Sequence, residues 1–382
     1  MARIALNGRL LVPGKLEGIG TFTLHCLREL VARRPNDAFL LVVDRPDDAM
    51  FHLGPNVEVR RICVPGRRPW LLWWWFNVSL PRMLRQWQAD AWVSLEGPLA
   101  GNMRPSFPQL AVIHDLNFEH HPEWLPKTWA NYYRSTFPGI AKDAHVLCTV
   151  SAHSANDLAA TYGIPRDPIR IVPNAASELF RPLTSAQRHT AQATFCGGHA
   201  YFVFVGSLHP RKNLDGLLRA FAAYVREGGR CDLLVVGEAM WRGEPRPEVA
   251  ACAGRIHWAG RLERDALAGA VGGAEALVFV PWFEGFGIPV LEAMAAGVPV
   301  VCSNTTSLPE VCGDAAFALV DPADVAAIAA AMHALDSQPE RREEAIGRGA
   351  ARVASFSWRR SGELLDAAVT ELLSNASGPA RG

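Results

Sequence analysis

Short runs of aliphatic and β-branched residues alternate along the chain with longer stretches whose apolar residues recur three and four positions apart. Such alternation predicts β-α-β units around parallel sheets. Two series separate. In the first, Arg3 to Leu6 reads as a strand, Gly18-Ile19-Gly20 as a glycine-bearing turn, and Leu24, Leu27 and Val31 as one face of the helix that follows. Phe39 to Val43, Ala91 to Leu95, Leu110 to Ile113 and Val146 to Val150 are further expected strands. Ala155, Leu158, Ala159 and Tyr162 then predict a helix closed by Pro165 and Pro168. The second series opens with Tyr201 to Val205 and a helix carrying Leu214, Leu217, Leu218, Phe221 and Val225 on one face. Leu233 to Val236, Ala276 to Val280 and Val298 to Val301 continue it as strands, and Asp321 to Leu335 and Trp358 to Leu373 read as helices.

Between the series, Ile171 through Pro182 is punctuated by proline and reads as a linker. The expected domains are residues 1–175 and 176–357, with the terminal helix 358–375 packing back on the first. A length of 382 residues suits two such domains. The 49% hydrophobic and 20% charged content excludes wholesale disorder. Acids and bases balance at 38 each, so no general attraction for nucleic acid is expected and any anion site must be local. Eight cysteines are scattered with no C-x-x-C pair, which fits neither a zinc site nor a disulfide framework and makes a reducing cytoplasm the natural compartment. Residues 1–14 lack the apolar stretch of a signal peptide, and no run reaches the length of a membrane span.

The segment Pro281 to Val300, PWFEGFGIPVLEAMAAGVPV, carries the most chemistry. A strand ends near Pro281, and Pro289 suits a first helical turn, where its missing N–H costs nothing. Gly285, Phe286, Gly287 and Ile288 then aim backbone N–H groups at a ligand, and the peptide dipoles favour a phosphate there. Glu284 and Glu292 bracket that cradle as acceptors for sugar or ribose hydroxyls. The alternative is a strand-to-helix turn with an exposed glutamate and another in the first helical turn.

The E-x7-E spacing within EGFGIPVLEAMAAGVPVV resembles the signature of family 4 of the retaining nucleotide-sugar glycosyltransferases. Gly18-Ile19-Gly20, His114-Asp115, Asn174, Gly206 to Asn213 and Ser307-Leu308-Pro309-Glu310 occur in the order that family shows, so the likeness covers nearly the whole chain. The resemblance implies an α/β GT-B fold, two Rossmann-like domains facing across a cleft, the second for the nucleotide-sugar and the first for the acceptor. It also implies that Glu284 contacts the donor sugar, that Glu292 contacts the ribose, and that Gly18 and Gly20 approach the donor.

Gly206-Ser207-Leu208-His209-Pro210-Arg211-Lys212-Asn213 joins a strand to a helix and puts two cations at a strand's carboxyl end, where open α/β sheets bind ligands. Only four of the 38 basic residues are lysine, and Lys212 is the only one after residue 142. A compact ammonium fits between phosphates where a planar guanidinium is too large. A solvated basic turn is the plain alternative. By resemblance Lys212 neutralises the leaving diphosphate. Relatives commonly have arginine directly after the glycine, where this chain has Ser207, which makes Arg211 the candidate second charge. His114 ends a strand of the first domain; such histidines are often packing residues, whereas by resemblance it faces the donor sugar and orients the acceptor.

Between Glu58 and Asp90 no acidic residue occurs, while Arg60, Arg61, Arg67, Arg68, Arg82 and Arg85 and five tryptophans (70, 73, 74, 75 and 87) do. Tryptophan flanked by arginine suits an interfacial element on an anionic membrane, and equally a buried helix that lines an acceptor groove. A glycan acceptor on a lipid carrier would reconcile the two, with the protein peripheral at the cytoplasmic leaflet. The expected function is retaining transfer of a sugar, with mannose favoured by the resemblance to envelope-polysaccharide enzymes. No metal and no cofactor is expected, since Lys212 and Arg211 already supply cationic charge and no D-x-D cluster ends a strand. A nucleotide-sugar epimerase, a phosphorylase and a non-catalytic nucleotide- or carbohydrate-binding protein stay open as alternatives.

Overall fold

The computed structural model of the chain describes residues 1–63, 68–103, 107–238 and 247–376. It divides into two compact units, Met1–Asn174 with Trp358–Gly382, and Ala175–Ser357. Arg67 of the arginine-rich segment lies outside the described residues.

The first unit holds a seven-stranded parallel sheet of β1 (Arg3–Asn7), β2 (Ala38–Val43), β3 (Val57–Arg61), β4 (Ala91–Ser94), β5 (Gln109–Val112), β6 (Val146–Thr149) and β7 (Arg170–Ile171). Its order is β3-β2-β1-β4-β5-β6-β7, and Ile4 lies in register with Phe39 on one side and Ala91 on the other. The central strands are buried on both faces, which is why they read as unbroken apolar runs. Strand β3, V-E-V-R-R, escapes that pattern because it is a half-exposed edge, and β7 is too short to leave one.

Gly18-Ile19-Gly20 is not a turn before a helix but the opening of the helix Gly18–Arg33 itself. The extended residue is Glu17, which precedes the helix at φ −96° and ψ 179°. Gly20 is required by close approach: a Cβ there would come within 2.7 Å of the Leu10 carbonyl oxygen.

The terminal helix Trp358–Ala376 lies along Gly18–Arg33, with Arg34 paired to Asp366 and the His25 ring stacked on Trp358 at 4.5 Å. Gly362 allows the approach, since a Cβ at that position would meet Glu29 Cβ at 2.3 Å.

The second unit repeats the scheme with β8 (Tyr201–Val205), β9 (Asp232–Val236), β10 (Ile256–Gly260), β11 (Ala276–Phe279), β12 (Val300–Ser303) and β13 (Ala318–Val320), ordered β10-β9-β8-β11-β12-β13 and parallel throughout. The alanine-rich helix starts at Val325, later than its composition suggested. The Asp324 side chain accepts from Ala327 N–H and so caps it, and Asp321 holds the turn ahead of it by accepting from Ala323 N–H.

In both sheets the order runs backward from the first strand and then forward from its other side. The reversal lies between β1 and β4 in the first unit and between β8 and β11 in the second. Loops leaving neighbouring strands diverge at such a reversal and leave a crevice at the carboxyl edge.

Candidate active site at the second strand-order reversal

The two loops that leave β8 and β11 carry most of the candidate residues of the second unit. The first runs from Gly206 to Asn213 and includes a short 3-10 turn, Pro210–Lys212, opened by the His209 side chain accepting from Arg211 N–H. It ends in Asn213, a left-handed residue at φ 53°, a conformation asparagine tolerates better than most side chains. The Asn213 amide donates to the Val280 carbonyl at 3.0 Å and the Pro322 carbonyl at 2.7 Å, and Trp282 N–H donates to the Arg211 carbonyl at 2.8 Å. These bonds knit one loop to the other. Gly237 is required for the same reason, since a Cβ there would fall 1.8 Å from the Gly206 carbonyl oxygen.

Within this frame Lys212 and Arg211 converge on one carboxylate. The Lys212 ammonium and Arg211 Nη1 both donate to Glu284 Oε1, the latter at 3.1 Å, and Arg211 Nη1 also reaches the Phe283 carbonyl at 3.3 Å. Lys212 is buried, with its Nζ 5.0 Å from the centre of the Phe279 ring. Burial pushes the Glu284 carboxyl up, but the charges and hydrogen bonds of Lys212 and Arg211 together outweigh it and hold the carboxyl below its ordinary range. Glu284 is therefore ionised at neutral pH. Two cations thus converge on one anion.

The loop Gly285 to Ile288 is held by the buried Ser307 hydroxyl, which bonds to the Glu284 carbonyl at 2.9 Å and the Phe286 carbonyl at 3.0 Å. Gly287 caps the helix Ile288–Ala295 at φ 101°, and any side chain there would strike Leu308, with a Cβ 2.5 Å from its Cδ2. Pro289 sits in the first turn, as its missing N–H predicts. Glu292, one turn further on, is buried, and burial raises its carboxyl to about 7 despite Arg264, whose Nη2 lies 3.7 Å away. Burial thus favours the protonated carboxyl, which can donate as well as accept. Ser207 is exposed, at the mouth of the first loop, and its carbonyl accepts from His209 N–H.

Gly18, Gly20 and His114 belong to the first unit. His114 Nε2 is 2.8 Å from the Leu95 carbonyl, which can only accept, so the ring carries its proton on Nε2 and leaves Nδ1 as the lone pair. Phe22 meets the ring edge to face at 4.9 Å. Burial holds this imidazole below its ordinary value, with the Leu95 bond and the charges of Asp115 and Glu96 offsetting it in part. His114 is thus a neutral, oriented base.

The first unit has its own pair at its reversal, which the sequence pattern did not disclose. Arg9, from the loop after β1, donates through Nε at 2.9 Å and through Nη2 to Glu96, from the loop after β4. Asn7 Nδ2 adds a third bond to Glu96 at 2.7 Å. Arg264 was likewise illegible, because it reaches Glu292 only through the packing of a separate helix, Arg264–Gly272. Ser307 was noted only as part of a motif; its hydroxyl orders the glutamate loop.

Residues 16–177 match Glycosyltransferase Family 4, and residues 199–337 match Glycosyl transferases group 1. The chain is 34% identical over 256 residues to O-antigen chain mannosyltransferase B of Escherichia coli, covering 65% of this chain and 66% of that one. It spans smaller shares, 52% and 28%, of other mannosyltransferases it matches. Among solved structures it resembles sucrose-phosphate synthase from Thermosynechococcus elongatus (TM-score 0.78, 18% identity, 98% of this chain and 100% of that one). It also resembles Anabaena Alr3699/HepE in complex with UDP and glucose (TM-score 0.74, 15% identity, 97% and 100%). These likenesses place both units in the GT-B fold class.

Proposed function

The chain belongs to Glycosyltransferase Family 4 and the glycosyl transferases group 1, and from that premise we propose that it moves a sugar from a nucleotide-sugar to a glycan acceptor. The observation that carries this reading is the convergence of Lys212 and Arg211 on Glu284 at the reversal of the second sheet, beside the glycine-shaped start of the helix Ile288–Ala295.

Glycosyl transfer breaks the bond from the anomeric carbon to a diphosphate oxygen, with the electron pair leaving on oxygen. The sugar becomes positive while the diphosphate gains charge. Lys212, Arg211 and the amides of Gly285 to Ile288 are preorganised for the second demand. Glu284, ionised and buried, suits a contact with the sugar, where its negative charge favours the oxocarbenium-like centre; Glu292 suits the ribose hydroxyls. His114, a neutral base in the first unit, suits an acceptor hydroxyl.

We assign retention of anomeric configuration from the resemblance of the E-x7-E segment to the retaining family 4 enzymes, and mannose from the names of the relatives. No metal is needed in this scheme, because the two cations occupy the role a divalent ion would take. Among the described residues no group of three or more His, Cys, Asp or Glu side chains is disposed to hold a metal ion. The acceptor is assigned as a glycan of cell-envelope polysaccharide, carried on lipid. Among the described residues no helix is long and apolar enough to cross a membrane, so contact with such a carrier would be peripheral.

A thermal-shift screen of nucleotide-sugars tests the reading first. A ligand at 100 times its dissociation constant adds about 2.7 kcal/mol of stability. The stabilising donor, incubated with oligosaccharide acceptors, should yield product whose anomeric proton coupling reports retention. If no nucleotide-sugar stabilises the protein and none is consumed, the assignment fails.

A further inference from the structure

The arginine-rich aromatic segment resolves into a helix that is apolar on two opposite faces. In Pro69–Trp74 and the wide π-helical turn Trp75–Ser79 that continues it, Leu72, Trp75 and Phe76 are buried among Leu80, Leu84, Trp87 and Trp92. On the other side Trp70, Trp73 and Trp74 are 63%, 54% and 42% exposed. Their spacing, i, i+3 and i+4, sets them side by side. These are three of the largest apolar side chains in the protein, grouped within five residues, whereas the other exposed large apolar residues are scattered. A helix apolar all round is ordinarily covered on both faces.

The element is held firmly. Asn77 donates to the Trp73 carbonyl at 2.7 Å, and it packs so closely on Gly101 that a Cβ there would overlap its Oδ1 at 1.7 Å. Three tryptophans are thus presented on a fixed support.

Charge identifies what covers them. Residues 59–89 include no acid, while the whole chain is neutral. Arg68 precedes the helix and is exposed, and in the helix Leu80–Trp87 the exposed Arg82 and Arg85, three apart, share the face opposite the buried Leu84 and Trp87. Tryptophan prefers the boundary between headgroups and acyl chains, and arginine beside it meets anionic headgroups. We propose that the helix Pro69–Trp74 docks the protein on an anionic lipid bilayer, with Trp70, Trp73 and Trp74 seated at the headgroup boundary and Arg68, Arg82 and Arg85 against the lipid phosphates. The inference rests on the proposed transfer only for its purpose, presentation of a lipid-carried acceptor to the first unit.

Vesicle flotation of the full chain tests it, with phosphatidylglycerol–phosphatidylcholine vesicles against pure phosphatidylcholine. At low salt the protein should float with the anionic vesicles and stay in solution with the neutral ones. Trp70→Ser, Trp73→Ser and Trp74→Ser combined should cut the bound fraction at least tenfold with the thermal midpoint unchanged, since these side chains cover no core. Arg82→Gln with Arg85→Gln should lower the salt concentration at which the protein is released. Failure of the full chain to float at any salt, or undiminished binding by the triple variant, overturns the proposal. A concentration-dependent dimer that the triple variant abolishes also overturns it, in favour of a contact between copies. Flotation needs no donor, so its loss with the donor-induced thermal shift intact defeats the docking alone; flotation without that shift defeats the transfer reading alone.

Discussion

At the reversal of each sheet a basic residue from the first strand's loop meets a glutamate from the loop after the strand across the reversal: Arg9 with Glu96 in the first unit, Lys212 with Glu284 in the second. In the first, Glu96 accepts two bonds from Arg9 and one from Asn7, and nearby Arg45 is spent on Asp44 at 2.6 Å. Each charge is cancelled where it stands. In the second, one glutamate is shared by two cations, and a helix start shaped by Gly287 adds partial positive charge. The same topology therefore holds one arginine on one glutamate at the first reversal and two cations on one glutamate at the second. The difference lies in how many partners each glutamate has, not in the fold.

The strongest way to break this comparison is to remove one of the two cations on Glu284. Lys212→Ala should lower kcat/KM about a thousandfold, roughly 4 kcal/mol, and weaken nucleoside diphosphate binding. Glu284→Gln should lower kcat strongly while nucleoside diphosphate affinity holds or rises, because the two cations then lose their internal competitor. Equal losses in both would show that Glu284 only positions Lys212. A steady-state analysis beside calorimetric titration with the diphosphate separates the outcomes.

In the first unit the expected damage is to stability. Arg9→Ala leaves Glu96 buried with only Asn7 as a donor and should cost about 3 kcal/mol, with the donor-induced shift retained. Chemical denaturation with and without donor measures both. A loss of donor binding with unchanged stability would put Arg9 in the donor site and erase the contrast.

Glu292 supplies a pH test of comparable size. Its carboxyl is raised to about 7 from an ordinary value of 4.5, so as pH rises from 4.5 the unfolded chain releases the proton before the folded one, and stability falls until about pH 7. Glu292→Gln removes that titration. Its advantage over the parent should be small at pH 5 and grow to about 3 kcal/mol by pH 8, a figure that follows from roughly 1.4 kcal/mol for each pKa unit. A difference independent of pH would mean that Arg264 keeps Glu292 ionised throughout.

Lys212→Arg probes shape at constant charge. The Lys212 side chain is buried, with its ammonium over the Phe279 ring, so a larger planar group should be displaced. We expect a ten- to hundredfold loss in kcat/KM, about 1.4 to 2.7 kcal/mol. Full activity would reduce Lys212 to a source of potential. The smallest expected effect is none: transfer should persist in excess EDTA, and loss restored by magnesium or manganese would show that the cations of the second unit do not suffice.

How far the site could be read from the chain follows from where its parts lie in sequence. Glu284, Gly287, Pro289 and Glu292 occupy one strand-loop-helix passage, and there the local requirements, a left-handed glycine and a first-turn proline, are written in residue types. Lys212 stood out because the chain otherwise prefers arginine. Gly20 misled, since glycine marks close approach as readily as it marks a turn, and only the Leu10 carbonyl distinguishes the two. Strands β3 and β10 left weak patterns because these edge strands are half exposed and mix polar with apolar residues, and β13 because it is only three residues long.

Taken alone, the sequence determined what depends on neighbours along the chain: two series of β-α units, buried central strands as apolar runs, the glycine- and proline-shaped start of the helix at Ile288, and an acid-free segment rich in tryptophan and arginine. Tertiary structure decided what depends on partners far apart in the chain. It set Lys212 and Arg211 on one glutamate 72 or more residues away, closed Arg9 on Glu96, brought Arg264 to Glu292, and divided the tryptophans between core and surface. The physical reason is that a charge's effect is set by distance and burial, and neither is carried by a residue's identity or its place in a local pattern.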